Sequence, residues 1–235
     1  MRIGKNNDVY KQCFKMLTDL EFGERYIHRY LNVKQIDWKL FENFSGDILD
    51  VGCGIPIDAI VLGSMQRVRS ISIVDIKQPI VTNVPKSTFF LADATKLPFQ
   101  DDKFDVAMSF SAIEHLPDRE GQKKWIAEMV RVTKPGGKIL ITVDNSWSLL
   151  NRIFDRYTFK TSILCINPDQ LKQWIFNNGK IKVEESTSGL LYYYGNCIPF
   201  LRFSYPIYLF DRFINIFDAF LPDLCDRVGF RFRKL

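Results

Sequence analysis

The sequence predicts an α/β fold with a doubly wound, mostly parallel sheet. Short apolar segments of strand character alternate with segments of helical periodicity between residues 44 and 186. Several apolar segments end on glycine or aspartate, as strands do when their carboxyl ends form a binding edge. Because strands that alternate with helices need crossover connections, helices cover both faces of a parallel sheet.

The first half of the chain shows this alternation in order. Residues 8–44 have apolar positions at three- and four-residue spacings, which predicts helix. A strand over Ile48–Val51 then leads through two glycines into a helix over 56–67, with Pro56 suited to its first turn. The following strands are predicted at 68–75, 87–93 and 104–110.

The second half continues the pattern more loosely. A helix over 119–133 leads to Pro135-Gly136-Gly137, which we expect to end it, and residues 138–144 form the fifth strand. An Asn-Pro pair opens a further predicted helix over 167–179, and a glycine closes it. Residues 180–186 then form a sixth strand.

Composition narrows the class of protein. The chain has 235 residues, of which 46% are hydrophobic and 25% are charged, as in ordinary globular proteins. Five scattered cysteines without a CxxC pair, and only two histidines, argue against a metal site. The odd cysteine number and the lack of an apolar leader after Met1 lead us to expect reduced thiols and a cytoplasmic location. The net charge of +5 permits an anionic partner, but no basic run requires one.

Residues at three successive strand ends mark a candidate ligand site. Gly52 and Gly54 let the chain turn tightly or approach a ligand closely. Asp75 ends the second strand about 20 residues later, where a carboxylate can accept both hydroxyls of a ribose. Asp93 ends the third strand. A tight turn without a ligand and a strand-end cap remain the alternatives for single residues, but the three strand ends together favour a nucleoside site.

The residues in and around the glycine turn indicate which type of nucleoside binds there. A dinucleotide fingerprint would need a third glycine, where this chain has Ile57, and no Gly-Lys-Ser/Thr of a phosphate-binding loop follows. Asp50 lies on the strand just before the glycines, where it would repel a pyrophosphate and attract an ammonium group. The charges therefore favour an adenosyl ligand that carries an ammonium and a sulfonium.

Four segments occur in the order typical of one large family: ILDVGCG, VDI, LADATKLPFQDDKFDVAMSFSAIEHLPD and VTKPGGKILITV. Through them the chain resembles the class I S-adenosylmethionine-dependent methyltransferases, and most closely the group that contains quinone and small-molecule C- and O-methyltransferases. The resemblance is close over 44–145 and loose over 165–186. It implies a Rossmann-like, seven-stranded sheet, a helical aromatic-rich cap and S-adenosyl-L-methionine as the cofactor.

The resemblance also implies which residues contact the cofactor. Asp50 would lie near the methionine amino group, Asp75 would bind the ribose hydroxyls and Ile76 would lie against the adenine. The other implied positions are Gly52, Cys53 and Gly54 under the methionine part, Asp93 and Ala94 at the adenine edge, and Ser109, Phe110 and Ser111 on the methyl-donating side. The family fills the position of Cys53 with various small residues, so we expect no catalytic thiol there.

Two residues after the fourth strand are candidate general bases. Glu114 and His115 would lie near the reactive end of the cofactor, where a base assists transfer to a hydroxyl or an acidic carbon. The alternatives are packing or hydrogen bonding for His115 and capping or pairing for Glu114. His28 would reach the site only if the N-terminal helix formed a lid. The segment SFSA replaces an Asn-Pro-Pro-Tyr-like tetrapeptide or a Pro-Cys pair, which disfavours the common modes of nucleic-acid methylation.

The C-terminal third is rich in aromatic residues. In the family the last two strands form a hairpin, and alternating phenylalanine and arginine in 227–235 predicts a partly exposed final strand. Residues 189–226 would then be an insertion, with an amphipathic helix over 206–221. A lid over a hydrophobic pocket, a contact in a homodimer and a peripheral membrane contact are its three interpretations. The predicted division is an N-terminal helical cap (1–43), a cofactor-binding core (44–188), this insertion and the final strand.

These observations together predict methyl transfer to an oxygen or carbon of a small or lipid-like acceptor. Every interpretation of the aromatic insertion favours an apolar acceptor. An RNA or protein methyltransferase is the first alternative, favoured by the basic C-terminus, although the missing motifs disfavour nucleic acid. A cofactor-binding module without catalytic activity is the second, because a fold does not fix a function.

Overall fold

The computed structural model describes residues 7–41, 44–81, 83–146, 164–189 and 227–235. The helices are α1 (Asp8–Asp19), α2 (Glu24–Lys39), α3 (Ile57–Gly63), α4 (Arg119–Val132) and α5 (Pro168–Phe176). The strands are β1 (Gly46–Val51), β2 (Val68–Asp75), β3 (Ser87–Leu91), β4 (Phe104–Phe110), β5 (Thr133–Asp144), β6 (Ile181–Gly189) and β7 (Arg227–Lys234). A 3-10 turn over Ile113–His115 follows β4.

The described strands form a seven-stranded sheet in the order β3-β2-β1-β4-β5-β7-β6. The first five strands in this order, β3, β2, β1, β4 and β5, run parallel to one another, whereas β7 is antiparallel to both β5 and β6. The strand order reverses between β1 and β4, which is where open α/β sheets bind ligands. This architecture confirms the predicted α/β, doubly wound, mostly parallel sheet.

Helices cover both faces of the sheet. Residues of α1, α2 and α3 share one buried cluster with Ile48 and Met108, and residues of α4 and α5 share a second with Leu49 and Ala107. Because side chains alternate along a strand, Asp50 points to the same face as Ile48. Asp50 therefore faces α2 and α3, beneath the carboxyl edge of the sheet.

Two helical segments have other boundaries than those predicted. The helical stretch predicted over 8–44 is two helices, separated at Leu20–Gly23, where Glu21 has a φ of 63°. Pro56 is the N-cap of α3 and not a first-turn residue, since its ψ of 49° lies outside the helical range. α3 also ends earlier than predicted, because the chain turns after Gly63 to enter β2.

The Pro-Gly-Gly segment lies inside β5 and does not end α4, contrary to the prediction. α4 ends at Val132, and Thr133 already pairs with Phe104 as the first residue of β5. The register then shifts between Phe104 and Val106, so the segment forms an irregularity in the strand. Gly136, with a φ of 77°, supplies the backbone conformation that this irregularity requires.

The prediction that the final strand is partly exposed is wrong, because β7 is buried over most of its length. It lies between β5 and β6, so neighbours cover both of its edges. Arg227 pairs with Asp37 of α2 at 2.7 Å, and Arg231 donates to the carbonyl of the residue after α2 at 3.1 Å. Arg231 and Arg233 also pair with Glu184 of β6. The arginines that suggested exposure therefore attach this strand to α2 and to β6.

The insertion was predicted over 189–226, but Gly189 is the last residue of β6. Residues 190–226 lie outside the described residues, so the three interpretations of the insertion stay predictions. Among the described helices, none combines the length and the apolar character needed to cross a bilayer. The described part of the chain also contains no group of histidine, cysteine and acidic side chains suited to holding a metal ion.

Candidate active site

The glycine turn after β1 meets two different requirements. Gly52 and Gly54 both have positive φ, 75° and 51°. A Cβ on Gly52 would lie 2.5 Å from the Cβ of Ala112 and 2.9 Å from the ring of Trp125, whereas a Cβ on Gly54 would meet no atom within 4 Å. Gly52 is therefore required by packing beneath the turn, and Gly54 leaves open space above it.

Asp75 is fixed beside this open space. The backbone N–H of Gly54 donates to its Oδ2 at 3.0 Å, and the N–H of Lys77 donates to its Oδ1 at 3.0 Å. Ile76 follows it with 67% of its surface exposed, and Leu91, which pairs with Asp75 in the sheet, is 68% exposed. The two apolar side chains beside a fixed carboxylate suit a nucleoside, and Leu91 is a site residue that was not predicted from the sequence.

Asp93 and Ala94 follow β3, on the same edge of the sheet as Asp75. The Oδ1 of Asp93 accepts hydrogen bonds from the backbone N–H and the hydroxyl of Thr95, both at 2.8 Å. These hydrogen bonds lower the pKa of Asp93 and stabilise the local turn. Ala94 is buried in the cluster beneath this turn.

Asp50 lies below the glycine turn and is only 2% exposed. Within the described part of the chain its Oδ2 has no hydrogen-bond partner. Burial raises the pKa of Asp50 well above its ordinary value, and the negative charges of Asp58 and Asp75 raise it further, although Lys34 opposes them. The site thus contains a buried acceptor atom that is suited to a cationic or hydrogen-bonding ligand group.

A cluster of buried charges from two helices surrounds Asp50. The Nζ of Lys34 lies 2.6 Å from Asp58 and 3.5 Å from Asp37, and Trp38 Nε1 donates to Asp58 at 2.8 Å. Lys34, Asp37 and Trp38 share one face of α2 through their i, i+3 and i+4 spacing, and Asp58 lies in the first turn of α3. These residues were not predicted as part of the site, although the spacing of two charges and a tryptophan is a signal in the sequence.

The end of β4 supplies the next side of the site. Ser109 and Ser111 each have a buried hydroxyl without a hydrogen-bond partner in the described residues. Ser111 has a φ of 47°, which is unusual for a residue other than glycine and marks local strain at the sheet edge. Phe110 points to the α2 face, with the Nζ of Lys34 5.6 Å from its ring centre.

The two candidate bases lie in different surroundings. Glu114 is 1% exposed, and its Oε1 accepts a hydrogen bond from the N–H of Asp144 at 3.4 Å. Burial and the nearby charge of Asp144 raise the pKa of Glu114 to about 8. The neighbouring His115 is exposed at the surface. His28 lies on α2, where its Nδ1 is 3.1 Å from the hydroxyl of Tyr10 on α1.

Arg227 connects the acceptor side of the edge to the charge cluster around Asp50. Its guanidinium donates to both oxygens of Asp37, at 2.7 and 2.9 Å, and to the hydroxyl of Thr142 at 2.8 Å. It pairs in register with Asp144 of β5, next to Glu114. Sequence analysis missed this role because the partners are 190 and 85 residues away.

Buried polar atoms without partners concentrate at this edge of the sheet. Of the eight such atoms in the described part of the chain, five belong to this edge, on Asp50, Ser109, Ser111, Glu114 and Arg227. Unsatisfied buried polar atoms are costly unless a ligand or water meets them. Together with the open space above Gly54, they fit an adenosyl ligand with a polar, positively charged tail.

Comparisons with known proteins agree with this geometry. Residues 49–141 match the family described as a methyltransferase domain. The chain is 37% identical over 105 residues to the chloroplastic tocopherol O-methyltransferase of Arabidopsis thaliana, an alignment that covers 40% of this chain and 29% of that one. It is 32% identical over 139 residues to a tRNA (carboxymethyluridine(34)-5-O)-methyltransferase of the same plant, with 52% of this chain and 33% of that one covered.

The alignments thus span about a third of the length of these relatives. A solved structure of a SAM dependent methyltransferase from Archaeoglobus fulgidus resembles the fold with a TM-score of 0.59 at 19% identity, covering 94% of this chain and 100% of that one. The matched family segment runs from β1 into β5 and includes the glycine turn, Asp75 and Glu114. Residues 49–141 therefore match a methyltransferase domain, and the sheet that contains them has the fold of the class I S-adenosylmethionine-dependent methyltransferases.

Proposed function

We propose that this chain transfers a methyl group from S-adenosylmethionine to an oxygen or carbon of a small or lipid-like acceptor. The observation that carries the proposal is the buried, unpartnered carboxylate oxygen of Asp50 beneath an open glycine turn. A cationic amino acid group above Gly54 would satisfy that oxygen. S-adenosylmethionine, when bound, supplies an electrophilic methyl group on a sulfonium.

The residues at the edge would bind and orient the two substrates. Asp75 would accept hydrogen bonds from the ribose hydroxyls, and the exposed apolar side chains of Ile76 and Leu91 would flank the base. Asp50 would face the ammonium group, and Ser109 and its neighbours would line the methyl-donating side. Methyl displacement depends mainly on alignment and exclusion of water, which a rigid, buried edge provides.

Glu114 is the better-placed of the two candidate bases. Its carboxyl group is buried at the end of β4, next to Asp144 and Arg227, whereas His115 is exposed. A base is most effective when its pKa lies near the working pH, and that of Glu114 is about 8. We therefore expect Glu114 to accept the acceptor proton, with methyl transfer accelerating as the pH rises toward 8.

Resemblance to the tocopherol enzyme supports a lipid-like acceptor, and so does the aromatic sequence of 189–226. In this proposal that segment contributes the apolar side of the acceptor pocket as a lid, with homodimer and peripheral membrane contacts as alternatives. A cytoplasmic location and the four-part division of the chain belong to the same proposal.

A second candidate is methylation of RNA. The relative named as a tRNA methyltransferase and the net charge of +5 favour it. Binding to RNA that weakens steeply as salt increases would support this candidate. The absence of any such binding would favour the small-molecule acceptor.

The test is transfer of labelled methyl groups from S-adenosylmethionine to separate pools of lipid extract and RNA. We expect labelled product in the lipid extract, and clearly less of it when Asp75→Ala replaces the native chain at a concentration of S-adenosylmethionine that saturates neither form. Cofactor binding without label in any pool would instead indicate a binding module that has no catalytic activity.

A further inference from the structure

The charges around Asp50 do not balance within the described residues. Three buried carboxyl groups, those of Asp37, Asp50 and Asp58, share the cluster with two cations, Lys34 and Arg227. Lys34 pairs with Asp58 at 2.6 Å, and Arg227 pairs with Asp37 at 2.7 Å. Each cation therefore has a carboxylate partner, and Asp50 is the third carboxyl.

An ionised Asp50 would be costly in this position. Its Oδ2 is buried without a partner in the described residues, and a buried charge without compensation is strongly disfavoured. A proton on the carboxyl group removes that cost. Burial and the charge of Asp58 shift the pKa of Asp50 upward, in agreement with this expectation.

We propose that Asp50 holds a proton in the free protein and releases it when a cationic amino acid group binds, and that Lys34 is the positioning residue that sets this exchange. The proposal rests on the proposed function, since it takes the ligand to be S-adenosylmethionine or its product. The O–H bond of Asp50 breaks, its electron pair stays on the carboxylate, and the proton passes to the buffer. The ammonium group of the ligand keeps its own protons and replaces the lost positive charge.

Titratable or charged groups act on Asp50 from two helices, a strand and the glycine turn. α2 contributes Lys34 and Asp37, α3 contributes Asp58, and β2 contributes Asp75, while the glycine turn contributes Cys53. Burial, the largest influence on the Cys53 thiol, raises its pKa, and the charge of Asp75 raises it further, so this thiol stays protonated at neutral pH whether or not Asp50 is charged. It is therefore not the source of the released proton.

Lys34 influences the exchange through Asp58. Burial alone would lower the pKa of Lys34, but the adjacent Asp58 raises it overall, so the ion pair stays charged. Without Lys34, the carboxylate of Asp58 would have no cation at 2.6 Å, and the potential at Asp50 would become more negative. Asp50 would then hold its proton more strongly, and a cationic ligand would have to displace it at greater cost.

The experiment is calorimetric titration of the full chain with S-adenosylhomocysteine at about pH 6.5, where an α-amino group with a pKa of about 7.7–8.0 is protonated. Repeating it in buffers of different ionisation enthalpy gives the number of protons released. We expect release of about one proton per ligand, the contribution of a single carboxyl group. Methylthioadenosine, which has the adenosine but no ammonium group, should bind without proton release.

Variants assign the proton and the role of Lys34. Asp50→Asn should still bind methylthioadenosine, and its binding of S-adenosylhomocysteine should release no proton. The affinity for S-adenosylhomocysteine should rise with pH as Asp50 loses its proton, and in Lys34→Met this rise should occur at higher pH. At about pH 6.5 the affinity of Lys34→Met should therefore be on the order of tenfold lower than that of the native chain, as for a pKa change of about one unit. Lys34→Arg should restore the native profile, and Lys15→Met, at an exposed position of α1, should leave it unchanged.

The outcomes separate this inference from the proposed function. If neither adenosyl ligand binds, the proposed function fails. If both bind and the native chain releases no proton, or if Asp50→Asn still releases one, the inference is wrong while the proposed function stands. An unchanged pH profile in Lys34→Met would refute the role of Lys34.

Discussion

Replacing Gly52 by alanine should destabilise the fold, whereas the same change at Gly54 should mainly weaken cofactor binding. Both glycines have positive φ, and an L-residue in that region costs about 1–2 kcal/mol. At Gly52 the new methyl group would also lie 2.5 Å from Ala112 and 2.9 Å from Trp125. Overpacking of this kind costs about 1–3 kcal/mol. The expected loss in the free energy of unfolding is therefore about 2–5 kcal/mol for Gly52→Ala and about 1–2 kcal/mol for Gly54→Ala.

Urea unfolding of both variants measures these free energies, and calorimetry with S-adenosylhomocysteine measures the affinity. Gly54→Ala should bind the ligand more weakly than the native chain even under conditions where the variant is fully folded, because its methyl group enters the open space above the turn. Equal destabilisation by the two changes would refute the packing argument for Gly52. Native affinity in Gly54→Ala would refute the assignment of that space to the cofactor.

Three further changes test other parts of the site. Asp75→Ala should weaken S-adenosylhomocysteine binding by about 1–3 kcal/mol in calorimetry, the scale for losing a charged hydrogen-bond partner, and unchanged affinity would contradict the ribose assignment. Burial raises the pKa of Glu114 from 4.5 to about 8, so the folded state keeps a proton that the unfolded state loses, and stability should fall between about pH 5 and pH 8. Urea unfolding at several pH values measures this decline in the free energy of unfolding, and Glu114→Gln should make it smaller. An unchanged decline in that variant would contradict the raised pKa of Glu114. Arg227→Met should cost about 3–5 kcal/mol because it removes the guanidinium that bonds both oxygens of the buried Asp37, while Arg69→Met, at an exposed pair, should change stability little. Similar values in the two arginine variants would argue against the buried pair.

Local sequence patterns predicted the parts of the fold that depend on local physics. The apolar runs and their terminal residues located β1, β2 and β4, and the Asn-Pro pair located the start of α5. Asn167 accepts from the N–H of Asp169 at 2.8 Å, as an N-cap should. The start of β5 was misplaced, since pairing of Thr133 with Phe104 begins the strand before the proline.

Contacts between distant parts of the chain were not predictable in this way. The burial of β7 depends on its place between β5 and β6, which the alternation of phenylalanine and arginine does not reveal. The pairs Lys34–Asp58 and Arg227–Asp37 join residues far apart in sequence, so no local pattern indicates them. The candidate site was therefore predicted at its glycine turn and strand-end acids, and missed where α2 and β7 close it.

The most direct test of the central claim is a crystal structure of the chain with S-adenosylhomocysteine. The account predicts that the ribose hydroxyls lie within hydrogen-bond distance of Asp75, the base lies between Ile76 and Leu91, and the ammonium group lies against Asp50. A ligand bound away from the carboxyl ends of β1 and β2, or one whose amino group points away from Asp50, would contradict it.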